Sequence, residues 1–224
     1  MHEPHTRRRS PGDPDPGRTS RRLTDIEFEV LNGVAICRVP DVATVAEVVG
    51  LREDVVASAI RSAIDRGELT RVRRSMMIST SGRDLLSDEY LRRYNSFREN
   101  AKFTEAFDHL EAINESQLEP AISDWQPTRA DVPQAERSDD PVEVATITDR
   151  FGAIVDQVER TLEPFCEAEP RIRRSCKRLR IALERACAGE RDYVTGSWIP
   201  SVATVWSQLR TDVLLLTALD RPRP

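Results

Sequence analysis

Apolar residues recur at helical spacing along most of the chain, and the places where that rhythm fails divide it into segments. Ile26, Val30, Leu31 and Val34 share one face of a 3.6-residue period and predict a helix running to about Cys37. It opens on a capping box, in which Thr24 accepts from the amide of Glu27 while Glu27 reaches back to the amide of Thr24. Pro40 and Asp41 break the pattern. A short helix over residues 44–49 stops at Gly50, and Leu51 leads into a helix over 52–66 with Val56, Ile60, Ala63 and Ile64 inward. Gly67 closes that helix in the usual position just past its end. Residues 69–72 and 76–79 read as two short strands around Arg73, Arg74 and Ser75, after which Thr80 caps a helix beginning at Ser81.

The second half is helical throughout. The helix from Ser81 carries Leu85, Leu86, Tyr90, Leu91 and Tyr94, and a further one carries Phe103, Phe107, Leu110, Ile113 and Leu118. Pro141 opens a helix whose seam, Val144, Ile147, Phe151, Ile154, Val158, Leu162 and Phe165, is that of a bundle. Over 171–187, Ile172, Cys176, Leu179, Leu183 and Cys187 form one face. The opposite face holds Arg171, Arg173, Arg174, Lys177, Arg178 and Arg180 and reads as solvated. Gly189 ends it. A last helix from about Ser201 holds Val202, Val205, Trp206, Leu209, Val213 and Leu216. Its run Val213, Leu214, Leu215, Leu216 is apolar all round and needs burial on more than one side, at a subunit interface or within the chain. Three stretches lack periodicity: 1–22, Pro-rich with two arginine groups and read as a disordered basic arm; 126–140, a linker; and the tail 221–224.

Composition narrows the chemistry. Of 224 residues 39% are hydrophobic but only 5% aromatic, so the core is aliphatic. Of the 33 basic residues only Lys102 and Lys177 are lysines, a bias spread over the whole chain. Arginine abundance alone is therefore weak evidence for nucleic-acid binding, and position must carry that argument. The histidines are His2, His5 and His109, and the chain has no glycine-rich phosphate loop, G-x-S-x-G, H-E-x-x-H or clustered metal set. Glu163, Glu167 and Glu169 read as a solvated helix end. Catalysis, a metal and a cofactor are not expected. Cys37, Cys166, Cys176 and Cys187 show no CxxC spacing and read as buried thiols of a reducing compartment. With no apolar run near the ~20 residues of a membrane span and no apolar leader core, a soluble cytoplasmic protein is expected.

The order helix, short helix, glycine turn, helix, hairpin resembles a winged helix-turn-helix of the multiple-antibiotic-resistance-regulator (MarR-like) type. Val45-Ala46-x-x-x-Gly50-Leu51 is similar to its helix-turn corner, Gly67-Glu68-Leu69 to the entry into the wing, and Ile78-Ser79-Thr80-x-Gly82 to the return. The resemblance implies that 52–66 is a recognition helix, with Ser58, Arg61 and Ser62 facing bases in a DNA major groove. Arg71, Arg73 and Arg74 in the wing would hold phosphates, and the arginine-rich arm would enter a minor groove. Glu53 and Asp54 read as favourable charges at a helix N-terminus.

Asn114, Asp124-Trp125-Gln126, Ala186-Cys187-Ala188-Gly189 with Tyr193, and Ser201-x-x-Thr204-Val205-Trp206-x-x-Leu209-x-x-Asp212 are similar to a second pattern. It belongs to an all-helical module of high-GC bacteria that accompanies winged-helix segments or pyruvate-phosphate-dikinase-like proteins. Where that module carries histidines, this chain has Ala203 and Arg210. Trp125, Tyr193, Trp198 and Trp206 are a candidate effector pocket between helices.

The expected fold is mainly α: a winged helix-turn-helix with a two-stranded wing over 23–86, connecting helices over 87–125, and a C-terminal helical bundle over 141–220. The leading functional reading is a homodimeric transcriptional regulator that binds double-stranded DNA. The alternative is a non-catalytic accessory protein docking on a partner such as a phosphotransfer enzyme. The net charge of −5 does not oppose DNA binding, because residues 1–24 are +3, 25–79 are −2 and the rest are −6.

Overall fold

Local capping signals decide where the first elements begin. The computed structural model describes residues 21–125 and 141–217, with side chains in the second stretch from residue 149 onward. The linker, the tail and all of the arm but Arg21 and Arg22 lie outside the described residues. Helix α1 (Asp25–Ile36) opens on the expected capping box, with Glu27 N donating to Thr24 Oγ1 at 3.3 Å and Thr24 N to Glu27 Oε2 at 2.9 Å. Its inner face differs slightly from expectation: Phe28 is buried, whereas Ile26 is 45% exposed. Helix α2 (Val42–Val49) starts two residues earlier than the apolar pattern suggests, because the Asp41 carboxylate accepts from Thr44 N at 2.7 Å and caps it. Gly50, at φ +68°, takes the left-handed conformation that ends α2 and turns the chain into α3 (Glu53–Asp65).

Strands β1 (Leu69–Val72) and β2 (Ser75–Ile78) pair antiparallel, Leu69 opposite Ile78 and Val72 opposite Ser75. The second strand ends one residue before expectation because Ser79, not Thr80, caps the next helix, α4 (Thr80–Glu99). Its hydroxyl accepts from Gly82 N at 3.1 Å and lies 2.7 Å from the Gly67 carbonyl, to which it donates. Gly82 is required here: a Cβ would lie 2.2 Å from the Glu68 carbonyl oxygen, a backbone atom that cannot step aside. Gly82→Ala is expected to lower the unfolding free energy by about 1–3 kcal/mol, read from urea denaturation.

Helix α4 is kinked at Tyr94 (φ −124°, ψ 21°) and is followed by α5 (Ala101–Ile113). That helix continues through one π-helical turn, Asn114–Leu118, into α6 (Glu119–Trp125). Then come α7 (Pro141–Ala168), α8 (Pro170–Cys187), the short α9 (Asp192–Thr195) and α10 (Val202–Thr217). Among the described residues the protein is mainly helical, with one two-stranded antiparallel sheet. Helix α10 packs against α1, α4, α5, α8 and α9. One contiguous apolar cluster consequently runs from Leu23 to Leu216. The apolar run near the end of α10 is satisfied within the chain: Val213 and Leu216 are fully buried, Leu215 packs on Ile36, Cys37 and Val48, and Leu214 alone stays exposed.

A charged cluster fastens the start of α1 to the hairpin entry. Buried Glu68 accepts from Arg21 at 2.9 Å and Arg66 at 3.0 Å, and Arg21 also reaches Glu27 at 3.0 Å. Burial opposes ionisation of Glu27, but hydrogen bonds from Arg21 and from the backbone and hydroxyl of Thr24 outweigh it, bringing its pKa down to about 2. A carboxyl whose folded pKa lies below its unfolded value stabilises the fold above the unfolded pKa and loses that contribution as pH falls through the folded one. Stability is expected to decline between about pH 5 and pH 2, and Glu27→Gln to flatten that decline, as followed by urea midpoints against pH.

Candidate nucleic-acid interface

The candidate DNA-contacting residues lie on α3 and the hairpin. Val56, Ile60 and Ala63 are the buried side of α3, which leaves Ser58 and Arg61 exposed and Ser62 half-buried. The hairpin is anchored at its base, where the Pro40 carbonyl accepts from Met76 N at 2.9 Å and from Ser75 Oγ at 3.1 Å. At its other end Arg71, Arg73 and Arg74 are exposed, with Arg73 at φ +56° in the turn. Arg61, Arg71, Arg73 and Arg74 make no ion pair with any described residue, whereas Arg21, Arg66, Arg93, Arg171, Arg174, Arg178, Arg180 and Arg210 all meet carboxylates. At the start of α3, Arg52 forks onto Asp54 at 3.0 and 2.6 Å, so one of the two acidic charges there is already neutralised.

The C-terminal helices reach this N-terminal unit elsewhere, through α1, α2 and α4, while α3 packs on α1, α2 and β1. Contact is made by the very face of α8 expected to be solvated. Arg174 crosses Gly50, donates to the Val48 carbonyl at 3.2 Å and pairs with Glu29 at 3.3 Å. Arg178 pairs with Glu47 at 3.0 Å and donates to Gln208 at 2.9 Å, and Arg180 bonds Asp156 and Glu159 of α7. Only Arg173 and Lys177 of that face are exposed. Most of the acids that neutralise α8 lie on other helices, so the helix alone looks like a surface.

Arg171 departs furthest from expectation. It is 3% exposed and its Nε lies 3.1 and 3.0 Å from the two oxygens of Asp212, itself 1% exposed. Its other nitrogens donate to Tyr94 Oη at 2.5 Å and Tyr90 Oη at 3.3 Å and pair with Glu169 at 3.3 Å. The single Tyr90 proton lies between Asn32 Oδ1 at 2.7 Å and Asp212 Oδ1 at 3.0 Å, and Asn32 Nδ2 donates to Asp212 at 3.2 Å. Burial opposes the Arg171 charge, but Asp212 together with Tyr90, Tyr94 and Glu169 more than compensates and raises its pKa; burial, then Asp212, pushes the Tyr90 hydroxyl well up. The network ties α1, α4, α8 and α10 together. Sequence reasoning did not find it, although Asn32 and Asp212 each interrupt an apolar stripe and so signalled a buried polar contact.

The four candidate pocket aromatics are not assembled into a cavity. Trp206 is buried and donates through Nε1 to Asn114 Oδ1 at 2.8 Å. Trp125 lies under the Arg191 guanidinium, 5.1 Å from its ring centre, and Tyr193 under that of Arg185 at 3.9 Å. Trp198 is 84% exposed. The two cavities described, of about 680 and 290 Å³, are lined by other residues of α5, α7 and α8 and the π-helical turn. Ser201 Oγ accepts from Thr204 N at 3.2 Å to start α10, and Thr204 Oγ1 donates to the Gly196 carbonyl at 3.0 Å.

Of the cysteines, Cys37 and Cys176 are buried as expected, but Cys166 is half-buried and Cys187 exposed, and all four are free. No cluster of three or more metal-ligating side chains occurs among the described residues, and no described helix is long and apolar enough to cross a membrane. The chain matches no protein-family model, no curated protein and no solved structure.

Proposed function

We propose that this protein is a non-catalytic, DNA-binding transcriptional regulator, with residues 23–86 acting as a winged helix and the C-terminal helices as its bundle. The observation that carries the reading is the set of four unpaired arginines, Arg61, Arg71, Arg73 and Arg74. They sit on α3 and the hairpin, whereas the C-terminal helices dock mainly on α1 and α4 and, through Arg174 and Arg178, on α2. Arg22, Arg38, Arg83, Arg160 and Arg173 are likewise without an ion pair among the described residues, so what sets these four apart is their grouping on α3 and the hairpin, where they are available to an external anion. In this reading α3 lies in the major groove with Ser58, Arg61 and Ser62 at base edges, and the hairpin arginines hold phosphates on the flanking strand. The Arg52–Asp54 pair removes one negative charge from the approach to that groove.

A symmetric dimer would place two α3 helices about 34 Å apart, one turn of DNA, on a near-palindromic site. The test is fluorescence anisotropy of the full chain on labelled genomic duplexes across a salt series, with light scattering for mass. Binding that weakens steeply as salt rises is expected. Absence of binding at the lowest salt would remove the regulator reading, and a monomeric mass on saturated DNA would remove the palindrome.

A further inference from the structure

Helices α7 and α8 are separated by the single residue Glu169, and this tight corner brings two thiols together. Cys166 lies in the last turn of α7 and Cys176 in the second turn of α8, with their Sγ atoms 3.7 Å apart. Cys176 is buried behind Cys166, which is half-buried. Both line a groove of about 680 Å³, whose walls also carry Arg173, Lys177, Glu159 and Glu163. The groove therefore admits a small solute to Cys166 first. The other two cysteines are set apart: Cys37 is enclosed in the core and Cys187 is exposed at the far end of α8.

We propose that Cys166 and Cys176 form a redox-active pair, which a small hydroperoxide entering the groove converts into an intramolecular disulfide. The Cys166 thiolate attacks the O–O bond, giving a Cys166 sulfenic acid and an alkoxide or hydroxide that leaves with a proton as alcohol or water. The Cys176 thiol then condenses with the sulfenic acid, forming the S–S bond and releasing water. Two thiols are oxidised and one peroxide reduced. The roles follow from the surroundings. The hydrogen bond with Cys176 and the charge of Arg173 lower the pKa of Cys166 against the opposing effects of burial and of Glu159 and Glu163, while the same hydrogen bond and burial push Cys176 up. Cys37, by contrast, is pushed up to about 12, chiefly by burial, and is held as an inert thiol. Closing the sulfurs to the ~2.05 Å of a disulfide asks for a small adjustment of the corner. Pro164 helps, since it cannot donate to the carbonyl one turn back and leaves the end of α7 less tightly braced.

The test treats the full chain with equimolar hydrogen peroxide, blocks remaining thiols by alkylation and digests with trypsin without reductant. Trypsin cuts at Arg173 and Arg174, so a disulfide appears as two peptides joined and about 2 Da lighter than their sum, separated again by dithiothreitol. Free Cys166 is expected to disappear roughly tenfold faster than Cys187. Cys176→Ser is expected to stop at the Cys166 sulfenic acid, captured by dimedone, and Cys166→Ser to abolish the fast phase while Cys187 continues to react. The proposal is overturned if Cys187 is consumed as fast as Cys166, or if Cys166 is consumed without the joined peptide. Both readings come from the unmodified sequence and do not depend on how either variant folds.

Discussion

Asp212→Ala is expected to lower the unfolding free energy by about 3–5 kcal/mol, the range for removing one partner of a buried ion pair. The reason is the charge left behind. Arg171 is 3% exposed and has Asp212 as its only bidentate acceptor; Glu169, at 3.3 Å, holds just one of its nitrogens. Tyr90 and Asn32 lose an acceptor in the same step, and both are buried. Urea denaturation followed by far-ultraviolet circular dichroism gives the number. Replacing both charges, as in Arg171→Met with Asp212→Leu, is expected to recover a good part of the loss, because no unpaired charge then remains. A loss below about 1 kcal/mol for Asp212→Ala would mean that the pair is hydrated in solution and does not hold α8 and α10 to the N-terminal helices.

Replacing Arg71, Arg73 and Arg74 together by Ala is expected to weaken DNA binding on the order of 100-fold at low salt. Each phosphate neutralised contributes about −0.9 to the slope of log K against log salt, so the slope should become shallower by about 3. Stability should change by no more than about 0.5 kcal/mol, since these side chains are exposed and unpaired. Alanine also retains the Cβ that Arg73 already carries at positive φ, so the turn is not relieved of strain. Arg61→Ala separates the two kinds of contact: a loss of about 1–3 kcal/mol, confined to sites with the preferred base, marks direct readout. An equal loss on every duplex would place Arg61 on a phosphate. If the triple variant binds as tightly as the parent with the same salt slope, the hairpin does not touch DNA.

The local code was legible where the determinants are neighbours. The Thr24–Glu27 capping box, the glycine stop at Gly50, the hairpin around Arg73 and Arg74, and helices over most of the second half all follow from residues within four positions of one another. Errors at element ends had the same local scale, as at Asp41 and Ser79, where a capping side chain outranked the apolar rhythm. The outward face of α3 was legible for the same reason, since burying Val56, Ile60 and Ala63 fixes which residues point away.

What the sequence by itself determined is thus the order and type of the elements, and which side of α3 and of the hairpin would be free. Only the tertiary structure decided what became of the charge. The basic face of α8 reads as a surface until Glu29 and Glu47, more than a hundred residues earlier, are folded against Arg174 and Arg178. Arg171 becomes a core residue only because Asp212, Tyr90 and Tyr94 converge on it. The same holds for the thiols Cys166 and Cys176, which are ten residues apart in the chain and in contact across a one-residue corner. Hydrophobic periodicity is a property of a segment, whereas the partner of a charge or a thiol is set by which segments meet, and that is fixed only when the whole core closes.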